Sequence, residues 1–117
     1  MDAETTIKPW GCEVLWAKTG DYAGKLLYLK AGHKLSLQYH SEKEESFIVF
    51  TGRIKFHWYD KNDPTVLIIK VMTAGEHMDI PAGTKHRMEA IDNSCLFEVS
   101  TPELDDVVRL EDDYGRV

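Results

Sequence analysis

Residues 32–52 read GHKLSLQYHSEKEESFIVFTG, with Gly32, Gln38, His40, Glu45 and Gly52 spaced as G-x5-Q-x-H-x4-E-x6-G. Along an extended chain the side-chain period of two sends Ser36, Gln38 and His40 to one face and Leu35, Leu37 and Tyr39 to the other. A Q-x-H pair on a strand therefore aims two donors the same way. A turn through Ser41-Glu42-Lys43-Glu44 returns the chain so that Glu45 stands beside them on the next strand. Residues 75–86, GEHMDIPAGTKH, fit a second pattern, G-x5-P-x-G-x2-H, ending at His86. There the Pro81-Ala82-Gly83 turn fixes the entry to a strand that starts with a fourth donor. Two hairpins far apart in sequence would then clamp one ion through Gln38, His40, Glu45 and His86, leaving coordination positions for water or substrate as catalytic metals require.

The rest of the chain has the same texture. Segments rich in β-branched, aromatic and leucine residues run from Val14 to Ala17, Lys25 to Leu29, Ser36 to His40, Ser46 to Phe50, Ile54 to Tyr59, Val66 to Met72, His77 to Ile80, His86 to Ala90 and Cys95 to Ser100. Turn chemistry separates them at Ala31-Gly32, Thr51-Gly52, Asp60 to Pro64, Ala74-Gly75, Pro81 to Gly83 and Asp92-Asn93. No stretch of the body carries a sustained helical period. Nine short strands suit a sandwich, a jelly roll or a barrel. The tail from Pro102 reads as a short helix or an extended arm.

Composition bounds the function. The 117 residues fit one domain, residues 1–117, with 43% apolar and 29% charged residues, as in a folded globular chain. A net charge of −6 offers no global attraction to nucleic acid or an anionic membrane, so an anionic ligand must be met by local cations. Cys12 and Cys95 match neither a zinc-finger nor a CxxC spacing and read as reduced, packed thiols in a cytoplasmic protein. The longest apolar run, Val66 to Ile69, is far short of a membrane span. His33, His57 and His77 lie outside the two patterns and read as ordinary packed or surface residues.

Ligand chemistry narrows the ion. Two imidazoles, a carboxylate and an amide oxygen suit one divalent Zn, Mn, Fe, Co or Ni, with Zn foremost. A neutral Gln donor in place of a third imidazole leaves the ion a stronger Lewis acid, which favours polarising a substrate oxygen.

The two motifs, residues 32–52 and 75–90, resemble the paired metal motifs of cupins, with Gln38 where most cupins carry a His. More narrowly, Lys8-Pro9-Trp10-Gly11, the run Leu35 to His40, the run Ile80 to Glu89, Asp105-Asp106-Val107-Val108-Arg109 and Tyr114-Gly115-Arg116 resemble the C-terminal cupin domain of type II phosphomannose isomerases. The resemblance implies an all-β double-stranded β-helix, a cupin jelly-roll barrel, with a C-terminal arm over residues 102–117. It implies metal-dependent interconversion of mannose 6-phosphate and fructose 6-phosphate, in a domain often fused behind a mannose-1-phosphate guanylyltransferase. Lys43 and Arg109 would be the catalytic side chains and Lys34, Lys85 and Arg87 the phosphate-binding ones, with Arg116 also near the motif segments; Glu98, facing away from Phe97 in the alternation of Cys95 to Val99, reads as a buried acid or as a solvent-facing one. Lys43 gains weight because K-x-E, ending in the carboxylate ligand, also occurs in type I isomerases. The sequence departs from the family at Lys43, Phe47, Ala90 and Ser100, where Arg, Trp, Asn and Gln are usual.

Two other readings stay open. One is a different metal-dependent cupin enzyme (lyase, epimerase or dioxygenase), and the other is a non-catalytic sugar-binding cupin beside a nucleotidyltransferase. The expected partners are a sugar phosphate and a second copy of the chain, met through an edge strand and the segment Lys8-Pro9-Trp10 with Trp16, an intramolecular lid being the alternative for Trp10.

Overall fold

The computed structural model describes residues 1–117 as eleven strands without a helix. They are β1 (Glu4–Lys8), β2 (Gly11–Lys18), β3 (Ala23–Leu29), β4 (Leu37–Tyr39), β5 (Glu45–Thr51), β6 (Arg53–Tyr59), β7 (Leu67–Thr73), β8 (His77–Ile80), β9 (His86–Ala90), β10 (Ser94–Ser100) and β11 (Val108–Glu111). Nine match the segments read from the sequence. The other two, β1 and β11, are marginal additions whose residues are mostly exposed and which pair only at sheet edges.

Two antiparallel sheets face each other, in the orders β1-β2-β3-β10-β5-β8 and β11-β4-β9-β6-β7. From β3 to β6 the chain steps from one sheet to the other at every strand, and it does so again from β7 to β11. That winding makes the fold an all-β double-stranded β-helix, and it brings motif one (β4, β5) beside motif two (β9) across both sheets. No helix is long and apolar enough to cross a membrane.

Alternation builds the core. Phe47 and Val49 of β5, Ile54 and Phe56 of β6, Met88 and Ala90 of β9, and Leu27 and Leu29 of β3 all point between the sheets and are buried. Phe56 sits at the centre, with its ring 5.1 Å from Phe47, 5.4 Å from Trp58 and 6.1 Å from the His86 ring, so core packing bears directly on the site. Trp10, expected at a dimer contact, is instead inside the barrel at 4% exposure. The reason is local: Pro9 and Trp10 form the tip of the β1–β2 hairpin, and the Trp10 carbonyl accepts the Lys30 N–H (2.8 Å), which folds the ring inward. Gly11 makes this possible, because it has a φ of 152° and a Cβ there would collide with the Tyr28 carbonyl oxygen.

Phe56→Ala should cost about 3–5 kcal/mol, the range for a buried aromatic that leaves a cavity. Urea unfolding of the wild type and the variant measures it; a loss below about 1 kcal/mol would mean that this ring does not hold the sheets together.

Candidate metal centre

The ligand-bearing side chains come from both sheets. Gln38 on β4 lies directly opposite His86 on β9, His40 follows the last residue of β4, and Glu45 opens β5 in the other sheet. His40, Glu45 and His86 are buried, and their potential ligand atoms lie within 4.8 Å of one another. Glu45 Oε1 is 3.3 Å from His40 Nε2 and 3.1 Å from His86 Nε2. Gln38 faces the same cavity, its Oε1 accepting the Ser36 hydroxyl at 3.0 Å.

Hydrogen bonds behind the rings decide what this cluster can do. His40 Nδ1 meets the Asp106 carbonyl at 2.6 Å, and His86 Nδ1 meets the Thr84 carbonyl at 2.8 Å. A carbonyl only accepts, so each Nδ1 carries the proton, and in the neutral ring the lone pair sits on Nε2 facing Glu45. His40 Nε2 is buried with no hydrogen-bond partner. Lone pairs from two imidazoles and a carboxylate converging on one point are mutually repulsive unless a cation lies among them, so the residues present fit a divalent ion.

Asp106 does more than hold His40. Its carboxylate accepts the backbone N–H groups of Ser41 (3.0 Å), Glu42 (2.7 Å) and Lys43 (2.9 Å), three in a row in the turn between two ligands. These bonds hold the Asp106 carboxyl below its usual range. On the other side, the positive-φ Gly83 donates its N–H to the His40 carbonyl at 2.7 Å, tying the second motif's turn to the first motif's strand.

Beside the ligands stands a buried charge cluster. Burial alone would lift the Glu45 carboxyl, but a hydrogen bond from Glu98 and the Lys43 ammonium hold it well below the usual range. Lys43 Nζ is 3.3 Å from Glu45 Oε2. Burial draws Lys43 down, and the neighbouring Glu45 charge outweighs it, so the net shift is upward and Lys43 stays an ammonium. Glu98 moves the other way: burial and the neighbouring Glu45 charge keep its proton on well above the ordinary 4.5.

These groups open into a cavity of about 110 Å3. Its wall includes Lys43, Glu98 and Arg109 from the sequence reading. It also includes Lys8 and Arg116, together with Glu13 and Lys25, to which that reading gave no role. Lys25 had a signal in the sequence: it alternates in phase with Leu27 and Leu29, both buried, so it must point inward too. Lys8 and Lys25 are paired to Glu13 at 3.5 and 3.3 Å, and Arg116 chelates Asp112 at 2.9 Å. Arg109 lies opposite Gln38, and its Nε is buried without a partner.

Lys34, Lys85 and Arg87, expected to bind phosphate, are not on this wall. The strand period is the cause: with His86 inward, Arg87 must point out. There its Nε donates to the Leu35 carbonyl at 2.9 Å and its guanidinium approaches Glu111 and Asp113. Lys34 bridges to Glu89 through the backbone, and Lys85 is exposed.

The sequence pattern of the family described as mannose-6-phosphate isomerase C-terminal matches residues 2–112. The chain belongs to that family. Among its relatives, a mannose-1-phosphate guanylyltransferase of Escherichia coli is 34% identical over 116 residues, 94% of this chain and 23% of the relative. The alginate biosynthesis protein AlgA of Pseudomonas aeruginosa is 31% identical over 114 residues, 93% of this chain and 22% of the relative. The chain thus spans less than a quarter of the relatives it matches.

Solved structures agree on the cupin fold. A Lactobacillus farciminis oxalate decarboxylase in complex with formate superposes with a TM-score of 0.80 at 22% identity, over 99% of this chain and 36% of that one. The capsular polysaccharide assembling protein CapF of Staphylococcus aureus gives 0.72 at 20% identity, over 98% and 31%.

Two outcomes follow from this family site. Asp106→Asn, which removes the charge holding the ligand turn, should weaken zinc binding about tenfold or more by calorimetry, as loss of an outer partner of metal ligands does; an unchanged affinity would leave the turn self-supporting. Glu98 has a folded pKa raised above an unfolded value near 4.5, so its stabilising contribution is fully present below that value and is lost as pH rises toward the folded one. In metal-free protein, Glu98→Gln should therefore gain on the wild type from pH 5 to pH 7 in urea unfolding, and a constant difference would contradict the buried proton.

Proposed function

We propose that this domain is a metal-dependent aldose–ketose isomerase acting on a sugar phosphate, with mannose 6-phosphate and fructose 6-phosphate as the first pair to test. The carrying observation is Arg109: it is the one cavity cation whose guanidinium has a buried nitrogen without a partner, and it lines the same cavity as His40 and Glu45, which cluster with His86. The family description and the mannose-phosphate chemistry in the relatives' names support the choice of sugar.

Gln38, His40, Glu45 and His86 would hold the ion, which when bound supplies an electrophile for the oxygens on the two carbons that exchange oxidation state. Arg109 offers N–H groups to the phosphate, which it can meet with two parallel bonds. Lys43, kept cationic, stabilises negative charge on a substrate oxygen rather than removing a proton. Glu98, a carboxyl on the cavity wall, would carry the proton between the two carbons from its ionised form, which a cation bound beside Glu45 favours by offsetting the charge that otherwise keeps the Glu98 proton on. Trp10, Leu27 and Leu35 give the cavity an apolar side that limits water around a reactive enediol. Sugar phosphates and unpaired thiols together favour the cytoplasm as its setting.

Purified protein supplied with Zn, Mn, Co or Ni should convert mannose 6-phosphate to fructose 6-phosphate. His40→Ala should lose both ion and turnover, Arg109→Ala should raise KM at least tenfold by losing a charge-assisted phosphate contact, and Lys85→Ala should change neither. Tight sugar-phosphate binding with no turnover under any metal would replace the isomerase with a binding module serving a nucleotidyltransferase.

A further inference from the structure

The first three strands deliver three charged side chains to the cavity that neither the ion nor the phosphate uses. Lys8 ends β1, Glu13 lies on β2 opposite Leu27, and Lys25 lies on β3 opposite Glu98. All three line the cavity. Glu13 stands between the lysines, with its Oε1 3.5 Å from Lys8 Nζ and its Oε2 3.3 Å from Lys25 Nζ. Their side chains are only 15–24% exposed. Ion pairs this sheltered add little to stability, because desolvation offsets most of the attraction, and apolar side chains of similar volume often do as well. The row therefore has its reason in what it meets inside the cavity.

Hydrogen-bonding capacity decides what that is. Each ammonium carries three N–H donors, of which Glu13 takes at most one, and each Glu13 oxygen keeps a free lone pair. Across the sheet the row reads donor, acceptor, donor. A phosphate would suit the two lysines and be repelled by Glu13. A metal ion would suit Glu13 and be repelled by the lysines. A chain of hydroxyl groups suits all three, since every hydroxyl both donates and accepts. Phosphate has its own place in the same cavity, because Asp112 takes up Arg116 while Arg109 keeps an unpartnered nitrogen.

We propose that Lys8, Glu13 and Lys25 form the subsite that reads the hydroxyl groups of the substrate, which makes the ligand class a polyol phosphate and not phosphate esters in general. The placing of ion and phosphate rests on the isomerase reading, and the hydroxyl subsite adds the three side chains of the opposite wall. Arg109 belongs to the five-stranded sheet and the triad to the six-stranded one, so a sugar phosphate spans the cavity from sheet to sheet. Trp10 and Leu27 offer apolar surface to its C–H groups. Lys25, opposite Glu98, brings the hydroxyls beside the carboxyl that handles the proton. A site built to hydrogen-bond a hydroxyl rejects an analogue that lacks it, because the polar groups of the site are then left unpaired.

Calorimetry on the zinc-loaded full chain tests this with two ligands that cannot be isomerised, mannitol 6-phosphate and hexyl phosphate. They share a phosphate and a six-carbon chain and differ in their hydroxyl groups. Glu13→Gln and, separately, Lys8→Met should each weaken mannitol 6-phosphate at least tenfold relative to hexyl phosphate and leave zinc affinity unchanged. Tenfold is the scale of one hydrogen bond to a charged group. Lys8 is the most exposed of the three, so its variant keeps the test open should Glu13→Gln fail to fold. Equal weakening of both ligands, no weakening of either, or mannitol 6-phosphate that does not bind the wild type at all would overturn the subsite. Absence of turnover with mannose 6-phosphate, with the contrast between the two ligands intact, would instead remove the isomerase and leave the hydroxyl subsite standing.

Discussion

Three lone pairs aimed at one point are the constraint around which this barrel is organised. The two imidazoles come from one sheet and the carboxylate from the other, so the ligand set exists only while the sheets keep their spacing and register. Phe56 stands between Phe47 and His86 and transmits that spacing. A slip of one residue between β4 and β9 would turn Gln38 or His86 outward and dissolve the site without unfolding the barrel.

Placing Glu45 in this interior is costly unless its charge is answered from several directions. Lys43 answers one oxygen and the two histidines face the other, while the neighbouring carboxyl Glu98 avoids a second negative charge by keeping its proton. The arrangement is unstable by design of its parts rather than by accident. Removing one partner of a buried pair leaves the other uncompensated, which costs about 3–5 kcal/mol in buried salt bridges generally. Such a cluster sits naturally beside an ion that completes the balance of charge.

How far the sequence carried depended on periodicity. The nine strands with a buried face announced themselves through alternation, and the two metal motifs through fixed spacing within those strands. β1 and β11 were harder, since Glu4–Lys8 and Val108–Glu111 bury little and their pairing depends on a sheet edge far away in the chain. The cations divide the same way. Lys25 was readable from its phase with Leu27 and Leu29, and Arg87 should have been turned away by its place next to an inward His86. Assigning Arg87 to phosphate followed nearness in sequence instead of the period of the strand. Asp106 was marked only by the resemblance of the segment Asp105 to Arg109, which gave it no role, because its three acceptor contacts are made more than sixty residues away in the chain.

That last separation bears on how the protein is made. Residues 41–43 are translated long before Asp106, and until the tail emerges neither the turn's three N–H groups nor the proton on His40 Nδ1 has its native acceptor. A nascent or C-terminally clipped chain can have its β-strands in place and still present a loose, wrongly oriented pair of donors. An ordered pair of donors therefore waits on Asp106, more than sixty residues after the turn that it braces.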